Sequence, residues 1–105
     1  MSTLKIIIKG EYIDQIKAGT KKIEYRDITP FWTSRLYNNG KKREYDNIEF
    51  INGYNKDARR MFVEYKGVSK KAGLYNIALG EILRDDNSYK AANSQSIRSK
   101  NKIYR

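Results

Sequence analysis

The stretch LKIIIKGEYIDQIKAGTKKIEYRD, residues 4–27, changes its hydrophobic period twice, and this limits the chain more than any other feature. From Thr3 to Lys9 the residues alternate. Leu4, Ile6 and Ile8 take one face and Lys5 and Lys9 the other, which predicts a strand with one buried face. Ile7 shares the polar face, so part of that face is covered too. Gly10 interrupts the alternation. Glu11 to Ala18 then reads as a short helix with Tyr12, Ile13 and Ile16 on one stripe. Gly19 supplies the left-handed cap that ends it. Lys22 to Ile28 alternates again, with Ile23 and Tyr25 opposite Glu24 and Arg26. Strand, helix and strand follow one another with almost no linker, so polar side chains sit directly beyond a helix cap.

The rest of the chain carries shorter signals. Thr29-Pro30 is a helix start, a capping threonine followed by proline at the first helical position. The segment TPFWTSRLYNNG reads as a short helix or ordered loop ending near Asn38-Asn39-Gly40. Strands are expected at 46–52, with Ile48 and Phe50 on one face, at 60–67, with Met61, Val63 and Tyr65 against Phe62, and at 74–83. GYNKD is a turn and VSKKAG a loop. Gly80 inside the last strand marks a bulge or bend. Five strands with one or two short helices predict an α+β fold, a small mixed or antiparallel β-barrel.

At 105 residues the chain is long enough for one domain with one core. Residues 1–84 form that domain, and 85–105, rich in Ser, Asn and Lys, form a basic polar extension that is mobile or orders on a partner. The chain has no cysteine and no histidine. This excludes disulfides, thiol nucleophiles, Cys- or His-ligated metals and histidine-based triads. No metal and no cofactor is expected; Asp85-Asp86 alone, without further ligands, reads as a turn. No apolar run reaches the length of a membrane span and no signal-peptide pattern opens the chain, so a cytoplasmic protein with no membrane partner is expected, monomeric by preference. Heavy use of Lys, Asn, Ile and Tyr hints at a bacterial or phage genome. The net charge is +10, and after Asp86 there are five cations and no acid. That balance favours a polyanion partner, RNA or a nucleotide first.

With its helix, its cap and the strand after it, the run 4–27 resembles the start of ASCH domains, a branch of the PUA-like superfamily. The signature G-x-K-x-x-E-x-R is met by Gly19, Lys21, Glu24 and Arg26. The resemblance spans about residues 3–84. It implies a PUA-like β-barrel whose cleft is lined by the signature residues and which binds RNA. It also offers an alternative, a small hydrolase of the N(4)-acetylcytidine amidohydrolase or ribonuclease type, in which Lys21 and Glu24 are catalytic. The amidohydrolase pattern pairs its lysine with a threonine three residues later and a glutamate from a distant loop. Here Lys21 matches the lysine, Glu24 stands in place of the threonine, and the distant glutamate has no match.

The residues allow a plainer function for the same triad. Glu24 and Arg26 can simply pair on the strand surface, worth about 0.2–1 kcal/mol when exposed. In a cleft, a carboxylate held between two cations suits binding better than nucleophilic attack. Glu24 can accept from the exocyclic amine of a base, and Lys21 and Arg26 can hold a phosphate or a carbonyl. A second constellation follows in 30–45. Phe31, Trp32, Tyr37 and Tyr45 interleave with Arg35, Lys41, Lys42 and Arg43, a pattern that suits single-stranded nucleic acid. Phe31 and Leu36 are expected to cap the core, Trp32 reads equally as core cap or stacking ring, and Lys41, Lys42 and Arg43 as phosphate contacts or a solvated turn. Arg59-Arg60 and Lys70-Lys71 read as solvated charge.

Overall fold

The computed structural model describes residues 2–86. The elements run β1 (Thr3–Ile7), α1 (Gly10–Ala18), β2 (Ile23–Asp27), α2 (Pro30–Leu36), β3 (Tyr37–Asn38), β4 (Lys41–Lys42), β5 (Asn47–Ile51), β6 (Arg60–Lys71) and β7 (Leu74–Asp85). Five strands form one curled mixed sheet in the order β1-β5-β6-β7-β2, and β3 and β4 form a separate hairpin. Only β1 and β5 run parallel; the other pairings in the sheet are antiparallel. The result is a small α+β half-barrel with two helices, and β1 and β2 are its two edges.

The expected punctuation sets the geometry. Gly19 adopts φ 82°, and the amides of Gly19, Thr20 and Lys21 donate back to the carbonyls of Ile16, Gln15 and Gln15 at 3.1, 3.0 and 3.2 Å. These bonds satisfy the orphan carbonyls of α1 and fix where Lys21 leaves the helix. Thr20 adds its hydroxyl to Gln15 O at 3.2 Å. At α2 the Thr29 hydroxyl accepts from the Trp32 amide at 3.2 Å, with Pro30 first in the helix. Gly80 is a bulge, as its place in β7 suggests. Tyr65 pairs with Leu79 but Val63 pairs with Ile82, so β7 carries an extra residue opposite Glu64. The Glu64 side chain occupies the space a Cβ at position 80 would need.

The core fills the curl. Leu4 and Ile6 of β1, Ile48 and Phe50 of β5, Met61 and Val63 of β6 and Tyr75 and Ile77 of β7 are buried, roofed by Ile13 and Ile16 of α1 and Leu36 of α2. At about 1.5–3 kcal/mol for each large aliphatic or aromatic side chain, this alternation is the main source of stability.

Four expectations are corrected. VSKKAG is not a loop: β6 continues through Lys71 and turns at Ala72 and Gly73, both at positive φ, straight into β7. Twelve-residue strands on each side make it one long hairpin. Asn38-Asn39-Gly40 does not end a helix; Asn39 (φ 53°) and Gly40 (φ 80°) form the tight turn between β3 and β4, the conformation a two-residue hairpin loop demands. Tyr12 leaves the core stripe to Ile13 and Ile16 and is itself exposed. Arg59 and Arg60 are not solvated: Arg59 pairs with Asp14 at 2.6 Å, and Arg60 with the buried Glu49 at 2.8 Å.

Asp85 pairs with Lys17 and Asp86 with Arg84. The remainder of the basic extension, 87–105, lies outside the described residues. No helix among the described residues is long and apolar enough to cross a membrane.

Candidate functional site

β2 has polar side chains where a strand of this kind normally has apolar ones. Glu24 is 5% exposed, whereas Tyr25, expected on the apolar face, is 50% exposed. The strand therefore turns its Glu24/Arg26 face inward, opposite to what its alternation suggests. The cause lies in the sheet. β2 pairs with β7 on one side only, and its inward face looks not onto the core but into the gap between the two edge strands.

That gap is a cleft of about 880 Å³. Its walls come from the end of β1 (Ile7, Ile8 and Lys9), Tyr12 of α1, the strand β2, the start of α2 and the Asn52-Gly53 turn. Glu24 lines it between two cations. Lys21 Nζ lies 3.2 Å from Glu24 Oε1, and Arg26 reaches Oε2 from both Nη2 (2.6 Å) and Nε (2.7 Å). Lys21 Nζ also donates to the Ile23 carbonyl at 2.8 Å. Arg26 Nη2 donates across the gap to the Ile7 carbonyl at 3.0 Å. One carboxylate thus holds two cations in register, and one of those cations ties β2 to β1.

Aromatic rings enclose the cations. Lys21 Nζ is 5.3 Å from the Tyr12 ring centre and 5.6 Å from that of Tyr25. The Arg26 guanidinium is 4.9 Å from the Trp32 ring. Phe31 meets Trp32 edge to face, with centres 5.2 Å apart. These rings are placed by ordinary local structure. The threonine cap fixes the first turn of α2, and that turn presents Phe31 and Trp32 to the cleft. Phe31 is 53% exposed and does not cap the core; Leu36 does, and Trp32 does both jobs, packing on the core and lining the cleft.

The site residues expected from sequence divide cleanly. Lys21, Glu24, Arg26 and Trp32 converge on the cleft. Arg35 stands just outside it, its guanidinium 3.5 Å from the Phe31 ring centre. Lys41 and Lys42 lie on the exposed β3–β4 hairpin. Arg43 folds back so that Nε donates to the carbonyls of Ser34 (3.1 Å) and Tyr37 (3.3 Å) at the end of α2. Lys9, Tyr12, Tyr25 and Phe31 are cleft residues that sequence reasoning placed elsewhere. For Tyr12 the signal was present: a tyrosine at the edge of a helical stripe, one turn from nothing apolar but Ile16, is readily shared between core and solvent.

No family model matches the chain, and neither a curated protein nor a solved structure matches it.

Charged groups taken out of water cost more than their mutual attraction returns unless every lone pair is used. Here the Glu24 oxygens are both occupied, which makes the triad tolerable, but an apolar β2 face would stabilise the half-barrel at least as well. The triad gives the cleft one more positive than negative group, beside the rings of Tyr12, Tyr25, Phe31 and Trp32. Such a surface can hold an anionic oxygen on Lys21 or Arg26 while a flat ring stacks on the aromatic wall.

Proposed function

We propose that the protein binds RNA or a nucleotide in the cleft between β1 and β2, with its base against Trp32 and Phe31 and its phosphate on Lys21 and Arg26. The observation that carries this reading is Glu24, a carboxylate 5% exposed in the wall of an open cleft and gripped by two cations. Its aromatic surroundings favour a ligand with a ring over a bare anion. The net charge of +10 supports a polyanion. The resemblance of residues 3–84 to ASCH domains points the same way, and assignment to that family is part of this proposal.

The same cleft in a hydrolase would use Lys21 as the reacting amine. Its Nζ instead donates to two acceptors, Glu24 Oε1 and the Ile23 carbonyl, which suits a donor that grips a ligand. Titration of the full chain with cytidine 5′-monophosphate and with single-stranded RNA, across a salt series, tests the proposal through the fluorescence of Trp32, the only tryptophan. Saturable quenching that weakens with salt and is lost in Lys21→Ala is expected. Absence of any binding at low salt sinks it.

A further inference from the structure

The cleft does not end at Phe31. Phe31 and Arg35 are one helical turn apart on α2, and Arg35 lies over the Phe31 ring at 3.5 Å while its Nη1 donates to the Phe31 carbonyl at 3.1 Å. A cation is therefore fixed immediately outside the aromatic wall. At the far end of α2, Leu36 runs directly into β3, and Arg43 locks the hairpin back onto the helix through the Ser34 and Tyr37 carbonyls. The Arg43 amide continues the ladder with the Leu36 carbonyl at 2.9 Å. The hairpin is thus rigidly attached to α2, and Lys41 and Lys42 are exposed at its tip beside the tight Asn39-Gly40 turn. Across it, Lys70 of β6 lies 5.5 Å from the Tyr37 ring. Along the chain from the cleft to the hairpin the order is Lys21 and Arg26, Phe31 and Trp32, Arg35, then Lys41 and Lys42. No acidic residue occurs in the whole segment 28–43.

We infer that the cleft takes one nucleotide of a single-stranded RNA whose backbone continues along α2 to the β3–β4 hairpin, so that the preferred ligand is a short oligonucleotide and not a free nucleotide. This inference rests on the proposed function of the cleft. The dimensions suit it. Seven residues of α2 rise about 10 Å at about 1.5 Å each, which is room for about three nucleotides at the 3.4 Å rise of a stacked strand. One nucleotide in the cleft and three along the helix make a tetranucleotide. An exposed cation at the end of a rigid hairpin can reach a phosphate at little conformational cost, and each phosphate contact adds about −0.7 to the salt slope for a single strand. Arg35 would stand between the first base on Phe31 and the next phosphate, at once a stacking and a charge partner.

The experiment compares cytidine 5′-monophosphate with a 5′-phosphorylated cytidine tetranucleotide on the full chain and on the Lys41→Ala/Lys42→Ala double variant, reading Trp32 quenching over a salt series. Both lysines are exposed and touch nothing in the core, so the variant is expected to fold as the parent does. The tetranucleotide should bind at least about ten-fold more tightly than the monophosphate at low salt, and the double variant should lose most of that gain. Its salt slope should become shallower by about 1.4 for two lost contacts, while monophosphate affinity stays unchanged. Should the monophosphate bind and the tetranucleotide bind no better, or should the double substitution leave the tetranucleotide unaffected, the track along α2 is overturned and the cleft as a nucleotide site survives. Should the tetranucleotide bind without quenching Trp32, the strand lies elsewhere and the inference is again overturned. Failure of both ligands to bind removes the cleft itself.

Discussion

Arg26 on β2 donates a 3.0 Å hydrogen bond to the carbonyl of Ile7 on β1, and so joins the two edge strands of one sheet through a side chain where no backbone ladder exists. The half-barrel is closed at this point by a guanidinium whose other partner is the buried Glu24. The fold and the proposed ligand site therefore depend on the same atoms. An anion that draws Arg26 toward itself competes with the Ile7 carbonyl, and a substitution at Arg26 opens the gap.

Removing Arg26 should be costly for that reason. Arg26→Ala leaves Glu24 buried with Lys21 as its one ion-pair partner and leaves the Ile7 carbonyl without its donor. A loss of about 3 kcal/mol is expected, in the range for breaking a buried ion pair. Glu24→Gln keeps the shape but breaks both ion pairs and leaves the Lys21 and Arg26 cations together without their carboxylate, so it should cost at least as much. Urea unfolding of both variants checks the order; an Arg26→Ala protein as stable as the parent would show that the seam does not need its side-chain link.

Phe31 and Trp32 are adjacent but should separate stability from binding. Phe31 is half-exposed and packs mainly on Trp32 and Arg35, so Phe31→Ala should cost under about 1 kcal/mol of stability. It should weaken nucleotide binding by about 1–3 kcal/mol, the value of one stacked ring. Trp32→Ala should lose both, because Trp32 also packs on the core. Paired denaturation and calorimetric titration distinguish them. Equal effects of the two substitutions on stability would contradict the division.

How much of this was readable from sequence depended on the range of the interaction that decides it. The Gly19 cap, the Thr29 cap and the Gly80 bulge are local devices, and the residues that make them also announce them. The gathering of Glu24 and Arg26 follows from their spacing on one strand, and Lys21 joins them from the cap just before it. Which face of β2 turns inward does not, because that depends on β2 being an edge opposite β1, a pairing order set by the whole chain. Alternation alone assigns Ile23 and Tyr25 to the core; the open seam reverses it. Asn39-Gly40 was a readable hairpin signal, since the pair strongly favours a two-residue turn. Ala72-Gly73 was not, because alanine gives no indication of positive φ.

Ala72 itself yields a third expectation. It holds φ 56° in the β6–β7 turn, a conformation that costs an L-residue with a Cβ about 1–2 kcal/mol and that asparagine tolerates better. Ala72→Asn makes the turn resemble Asn39-Gly40 and should raise stability by about 0.5–1 kcal/mol. The turn lies at the end of the long hairpin, and its residues line none of the cleft, so nucleotide binding should be unchanged. A lower unfolding midpoint in Ala72→Asn would show that the strain is not there.

Tyr65 gives the fold a dependence on alkaline pH. Its hydroxyl is buried and finds no hydrogen-bond partner among the described residues, and its pKa is pushed up from 10.0 to about 12, first by burial and then by the neighbouring Tyr45 and Tyr37. The sign follows from linkage. Below pH 10 the phenol is protonated in both folded and unfolded chains, and the full stability is present. Between pH 10 and about 12 the unfolded chain releases this proton and the folded one keeps it, so stability falls as pH rises through that window. Tyr65→Phe removes the titrating group and the unpaired hydroxyl together while keeping the ring that meets Tyr45 edge to face. At pH 7 the variant should equal or exceed the parent in stability, since an unsatisfied buried hydroxyl carries a desolvation penalty of about 1–3 kcal/mol. Above pH 10 the variant's advantage should widen. Lysine and the other tyrosines also titrate there, but they do so in both proteins, so the difference between the two urea midpoints isolates Tyr65. A difference that stays constant from pH 7 to pH 12 would mean that Tyr65 ionises as easily in the fold as in the unfolded chain.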